Sequence, residues 1–306
     1  MAVMSGRTVV AAALVAFLEA SSSAQKTRSF QNVDLVDVDV VVTDGDGRPV
    51  TGLTKEDFDI REDGKPVTLQ TFVARTATDA AADDAGRTLV ILLDDVTMPR
   101  ESVNAVKAIA TYLALQARQT DDLSVIRFRE FEDEPFGDRE LALTRISEYQ
   151  GALVRYAPAG SPEDVLKLVS SVSRKLESTG RRRKILVCIG SPRICSIAQL
   201  SQFNGGSFYE DWIDAVGAAA RANLSVYSLL AVPQRVSDEG LVAVTGGTVF
   251  RGASDFRPIL DRIWQDAGHH YLLGYWPPAS SKELHSISVK VTRKGVHVLA
   301  RRLRGN

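Results

Sequence analysis

The stretch Thr88-Leu89-Val90-Ile91-Leu92-Leu93-Asp94-Asp95 decides the fold. Six residues without a charge stop abruptly at two carboxylates. A strand buried on both faces reads as a continuous apolar run, whereas a half-buried one alternates. The run therefore predicts a central parallel strand, with the acid pair at its carboxyl end. Outward from it, Val103, Val106, Ile109 and Leu113 recur at helical spacing. Leu123 to Phe128 predicts a second strand, and Leu141 to Thr144 a third, at the sheet edge. Ser161-Pro162-Glu163-Asp164 is a helix start, with a capping serine, a first-turn proline and carboxylates favoured by the helix dipole. The stripe Val165, Leu168, Val169, Val172 and Leu176 continues that helix. Lys184 to Ile189 predicts another buried strand, Trp212 to Ala222 a helix, and Leu224 to Leu230 a strand. A helix over Glu239 to Val244, a short strand over Thr248 to Phe250 and a helix over Phe256 to Gln265 follow. Such alternation predicts an α/β fold over residues 88–268: a doubly wound, mostly parallel sheet with helices on both faces.

Both flanks read as strands. Val36, Val38, Val40 and Val42 fall on one face with Asp37 and Asp39 on the other, the period of a half-buried strand. Asp46-Gly47 and Asp63-Gly64 are tight-turn dipeptides, and residues 25–75 are expected to form a small β unit. Residues 76–87 are small and polar, and read as a linker. The tail returns to strands at Tyr271 to Tyr275, Ile287 to Val291 and Val296 to Ala300, with a turn at Lys294-Gly295. Residues 30–70 carry ten acidic and four basic side chains, while residues 282–306 carry one acidic and seven basic. Each end is too small to stand alone. The expectation is that 269–306 pack with the N-terminal strands into one accessory β-rich domain; the alternative is that each charge run is simply a solvated face.

The beginning of the chain carries an address. Arg7, the apolar run Val9 to Leu18, and Ser22-Ser23-Ala24 have the order of a secretory signal peptide over residues 1–24, cleaved near Ala24. The apolar run is too short to span a bilayer, and no later stretch approaches 18 apolar residues. The mature chain is therefore expected to be secreted or periplasmic, without a transmembrane segment. With 37 basic against 38 acidic residues among 306, the composition is that of a globular protein and argues against a polybasic nucleic-acid binder. Two cysteines cannot make a disulfide framework. Outside the cytoplasm Cys188 and Cys195 can bridge, or Cys188 can behave as a small hydrophobe in its strand; spacing does not decide.

In an open α/β sheet, ligands bind beyond the carboxyl ends of the strands, near the point where strand order reverses. Here that position is Leu93 to Pro99. The order of elements, with acidic residues at this spot, resembles a von Willebrand factor type A domain, and more closely the secreted type A-related proteins of acidobacteria. The segments that carry the resemblance are VTDGDGRPVTGLTKEDFDIREDGKPV (Val42 to Val67), GRRRKILVCIGSP (Gly180 to Pro192), TGGTVFRGASDF (Thr245 to Phe256) and YLLGYWPP (Tyr271 to Pro278). They span nearly the whole mature chain.

The resemblance implies a metal-ion-dependent adhesion site, an Asp-x-Ser-x-Ser loop assisted by a threonine and an aspartate from later loops. Magnesium needs such a set of oxygen ligands in near-octahedral geometry. In this sequence the pattern is degenerate. With Asp94 as the first aspartate, Val96 and Met98 occupy the serine positions; with Asp95, Thr97 fits but Pro99 does not. Where the family often has Thr-Asp-Gly, this chain has Ile189-Gly190-Ser191. What remains is either a weak magnesium or calcium site at Asp94, Asp95 and Thr97, or carboxylates that cap the adjacent helix N-terminus. No resident cofactor is expected.

Other chemistry is thin. Gly190-Ser191 follows a strand as a nucleophile would, but Pro192 lacks the amide that usually helps form an oxyanion hole. His269 and His270 would point to opposite faces of a strand and cannot chelate together. His285 and His297, on neighbouring strands, would sit far apart along the ladder. The run Arg181-Arg182-Arg183-Lys184 reads as a soluble flank of an aggregation-prone strand. Gly246-Gly247 reads as a turn and not a phosphate loop, and Tyr271, Tyr275 and Trp276 as packing at a domain interface. The expectation is a non-enzymatic, exported module that binds a protein partner through Asp94, Asp95, Thr97 and Ser191. The alternatives are a serine hydrolase built on Ser191 with His269 or His270, and a purely structural envelope component.

Overall fold

The computed structural model describes residues 35–76, 86–130, 137–152, 161–179, 183–195, 206–231, 240–251 and 255–305. The expected signal peptide, most of the linker, and Arg181 and Arg182 lie outside the described residues. Asp34–Asn306 form one compact unit. In chain order the strands are β1 (Val36–Thr43), β2 (Phe58–Glu62), β3 (Lys65–Pro66), β4 (Leu69–Arg75), β5 (Thr88–Leu93), β6 (Asp122–Arg127), β7 (Lys184–Gly190), β8 (Leu224–Leu230), β9 (Val249–Arg251), β10 (His270–Tyr275), β11 (Leu284–Val291), β12 (His297–Ala300) and β13 (Leu303–Gly305). The helices are α1 (Val103–Gln116), α2 (Arg139–Glu148), α3 (Pro162–Glu177), α4 (Pro192–Cys195), α5 (Ser207–Ala222), α6 (Leu241–Val244) and α7 (Arg257–Gly268).

Five strands form the central parallel sheet in the order β6-β5-β7-β8-β9, so strand order reverses between β5 and β7. The fold is the expected α/β class. Both faces of β5 are covered, which is why its sequence is apolar throughout. Val90 and Leu92 pack with α3 and α5, whereas Leu89, Ile91 and Leu93 pack with α1, α2 and α7. Helix α3 starts where its sequence says. The Ser161 hydroxyl accepts from the Asp164 amide at 3.2 Å, and the Asp164 carboxylate accepts from the Ser161 amide at 2.8 Å. Burying each of Leu168, Val172 and Leu176 then contributes about 1.5–3 kcal/mol.

One element departs from expectation. Leu141 to Thr144 is not an edge strand but part of α2. Asp138 caps its Leu141 amide at 3.0 Å, and Ala142 and Ile146, four apart, face the core. A four-residue apolar run has too few positions to separate the two periods, and the cap decides it. The only trace of an extra edge among the described residues is an isolated antiparallel bridge from Leu123 to Gly137.

The two ends of the chain make two antiparallel sheets, β12-β1-β10-β4 and β13-β11-β2-β3. N-terminal β1 is hydrogen-bonded between C-terminal β10 and β12, and β2 pairs with β11. Asp63 and Gly64 both take positive φ, as the tight turn between β2 and β3 requires. Val38, Val40, Val42, Ile60, Leu273 and Ile287 form the core between the sheets. Opposite charges from the two ends meet inside. Arg304 donates to buried Glu62 at 2.7 and 3.0 Å, and the Tyr275 hydroxyl donates to the same carboxylate at 2.5 Å. His285 is fully buried, its Nδ1 3.0 Å from Asp63.

Four sequence readings need correction here. β1 is buried on both faces, because Asp39 turns away from the sandwich core into a contact with Arg183 at 2.5 Å. Arg183 is consequently a buried ion-pair partner and not a solvated flank. β11 and β12 do not pair as a hairpin but belong to different sheets, which separates His285 from His297. The tyrosines of β10 serve the sandwich itself: Tyr271 packs on Phe58 and Phe72, while Trp276 is exposed.

Candidate functional site

The carboxyl ends of β5 and β7 carry the residues singled out in the sequence. Asp94 follows β5 and is completely buried. Its amide donates to Ile189 at 3.1 Å, which extends the pairing of β5 with β7 by one residue. Its carbonyl accepts from the Tyr149 hydroxyl at 2.6 Å. Its side chain folds back over the turn: Oδ1 accepts from the amides of Val96 at 3.1 Å and Thr97 at 2.8 Å. Oδ2 accepts from the Ser191 amide at 3.0 Å and from the Thr97 hydroxyl. Because that proton is committed to Asp94, the 2.5 Å contact between Thr97 Oγ1 and Ser191 Oγ has Ser191 as donor.

Close approach of the two strand ends needs a glycine. A Cβ on Gly190 would stand 2.3 Å from the Cβ of Asp94 and 2.8 Å from its Oδ2. Behind the turn, Met98 is fully buried and Val96 nearly so. The Cys188–Cys195 disulfide ties β7 to α4 across Ser191, with its Cα atoms 5.3 Å apart. The pairing that spacing left open is thus made, and it brackets the loop that carries Ser191.

Asp95 belongs to a different set of contacts. It is half-buried, and its Oδ1 accepts from the Arg129 amide at 3.2 Å. Burial pushes its carboxyl above the ordinary range, against the opposing pull of that amide and of the Arg129 charge. No hydrogen bond joins it to Thr97 or Ser191 among the described residues. The structure therefore brings Asp94, Thr97 and Ser191 together and leaves Asp95 beside them, facing the loop after β6.

These donors do not fit a resident hard cation. The four acceptor positions of Asp94 are already filled by three amides and a hydroxyl. Val96 and Met98 offer apolar side chains to the core where ligands would be needed, and Asp95 is turned toward the Arg129 amide, which leaves too few uncommitted oxygens facing one point to displace a cation's waters. Among the described residues no three His, Cys, Asp or Glu side chains are grouped to hold a metal.

Nor does Ser191 meet a histidine. His270 Nε2 lies 3.7 Å from Asp39, whose other oxygen holds Arg183, the residue before β7. Ser191 is the residue after β7, so a strand of eight steps, about 26 Å, separates the two neighbourhoods. His269 sits beside His270, next to the Gln265 carbonyl. Sequence reasoning missed Tyr149. It is fully buried, and burial together with the charges of Asp94 and Asp95 pushes its phenol well above the ordinary value. Its signal in the sequence was slight, a lone tyrosine three residues beyond Ile146 and just after the polar pair Ser147-Glu148.

A parallel sheet in this order, helices on both faces, and an acidic turn at the point of strand-order reversal are now established together. This is a doubly wound α/β fold. Among solved structures it is similar to an aerotolerance-related membrane protein from Bacteroides fragilis carrying multiple mutations to serines, at 13% identity and TM-score 0.40, over 60% of this chain and 98% of that one. It is also similar to the manganese-loaded TRAP protein of Plasmodium vivax, at 11% identity and TM-score 0.33, over 80% of this chain and 98% of that one. At these values no residue role passes from either to this chain. No family model and no curated protein matches the sequence. No helix among the described residues is long and apolar enough to cross a membrane.

Proposed function

We propose that the chain is an exported, secreted type A-related protein that binds a protein partner through the rim formed by Asp94, Asp95, Thr97 and Ser191, with a degenerate adhesion site that needs no bridging cation. The observation that carries this reading is the self-satisfied Asp94 carboxylate. It is spent on holding the rim together, which leaves a preorganised surface of hydroxyls and backbone instead of an open coordination site. Export is supported by the disulfide, since such bonds persist in oxidising compartments. A hydrolytic role for Ser191 lacks its base, because Ser191 donates its proton toward Thr97 and no histidine stands near it.

Calorimetric titration of the purified chain with magnesium, calcium and manganese tests the metal half of the proposal. The expected result is no saturable binding tighter than about 1 mM. Micromolar binding abolished by Asp94→Ala and Asp95→Ala would overturn it. Capture of a partner from a native envelope extract, with and without chelator, tests the other half. Capture should be indifferent to chelator and lost when exposed rim positions around Asp95 and Ser191 are substituted. Labelling of Ser191 by a fluorophosphonate probe would replace the binding reading with a catalytic one.

A further inference from the structure

At the edge of the central sheet opposite the rim, a group of charges is buried against the sandwich. Asp39 of β1 meets Nη1 of Arg183 at 2.5 Å, and Nε2 of His270 stands 3.7 Å from its other oxygen. Arg301, just after β12, acts on the same carboxylate and donates to the Asn223 side chain. Arg301 is only 4% exposed, yet no carboxylate lies within ion-pair distance of it among the described residues. Its Nε, the Nε of Arg183 and the Nδ1 of His270 are all buried without a hydrogen-bond partner. The other acids nearby do not relieve this. Asp266 of α7 is held by Arg262 at 2.8 Å, and half-buried Asp37 acts on Arg301 only at longer range. A buried guanidinium is costly unless a negative charge or enough acceptors meet it.

We propose that this junction binds a small monovalent anion, of chloride size, between the guanidinium groups of Arg183 and Arg301. Such an ion would give acceptors to the two unmet Nε–H groups and link the segment after β12 to the start of β7. Burial and the neighbouring Arg183 push Arg301 down to about 10, the direction expected of a guanidinium short of negative charge. The proposal is independent of the rim and of what the rim binds.

The test is thermal unfolding of the purified chain at constant ionic strength, as sodium gluconate is replaced by sodium chloride or bromide. The midpoint is expected to rise saturably, by about 3–5 °C at tenfold excess over the dissociation constant. Arg301→Met should abolish the response. A bromide-soaked crystal of the unmodified chain should show an anomalous peak between Arg183 and Arg301, which serves as the readout if the variant fails to fold. A midpoint that ignores halide, a response equal in Arg301→Met, or a crystal with only water at that position would overturn the proposal.

Discussion

The hydroxyl oxygens of Thr97 and Ser191, 94 residues apart in the chain, lie 2.5 Å from each other above the carboxylate of Asp94. The contact joins the turn after β5 to the turn after β7 at the point where strand order reverses, the position at which open α/β sheets bind their ligands. A single buried carboxylate thus organises two loops that would otherwise be held only by their strands.

Replacing that carboxylate should loosen both loops at once. Asp94→Ala leaves the amides of Val96, Thr97 and Ser191 without their acceptor. A loss of about 3 kcal/mol is expected, read as a lower urea midpoint with an unchanged slope. Asp94→Asn, which keeps one oxygen, should lose less. Equal losses for the two variants would mean that the hydrogen bonds are not what holds the turn.

The glycine beneath it is just as constrained. A methyl group at Gly190 collides with the Cβ of Asp94, a contact that no rotamer change relieves. Gly190→Ala is expected to destabilise by about 1–3 kcal/mol. Gly52, with open space around its Cβ position, is a weak control because of its positive φ; Gly45, equally open and without that restriction, should tolerate alanine.

The disulfide should stabilise the fold under oxidising conditions. Cys188 and Cys195 are separated by seven residues, and closing so short a loop contributes about 2–3 kcal/mol by restricting the unfolded chain. The double variant Cys188→Ala, Cys195→Ala should lower the urea midpoint accordingly and make it indifferent to reductant. The unmodified chain should fall to a comparable midpoint when fully reduced.

Acid sensitivity should trace partly to His270. Burial pushes its imidazole down to about 4, although Asp39 pulls the other way. A histidine that is harder to protonate in the folded chain than in the unfolded one supports stability above about pH 6.5. That support is lost as pH falls from there toward 4, by about 3 kcal/mol in all. Compared with the unmodified chain, His270→Gln should show a flatter stability profile between those limits. Parallel profiles would remove His270 from the account.

The central sheet was legible because strands covered on both faces have no choice but to be apolar. β5, β7 and β8 announce themselves by composition alone. α2 was not, since Leu141 to Thr144 is too short to display a period, and the informative residue, Asp138, lies outside the apolar run. At the rim, the identities of Asp94, Thr97 and Ser191 were readable, but their arrangement was not. Nothing in the spacing says that Thr97 turns its hydroxyl toward Asp94 while Asp95 turns toward Arg129. Arg183 misled for a related reason: a basic run is normally solvated, and its carboxylate partner, Asp39, stands 144 residues earlier. Charge balance between the two ends did point to their association, because strands too few to bury a core must find partners elsewhere.

The pairing of β1 with β10 and of β2 with β11 has a bearing on how the protein is made. β1 and β2 leave the ribosome well before their partners β10 and β11, so neither antiparallel sheet can close until the α/β region between them has been made. The α/β region between them consists largely of neighbours in sequence and can fold earlier. Until then β1, with its valine-rich edge, stays unpaired, and this interval is when the chain is most exposed to aggregation.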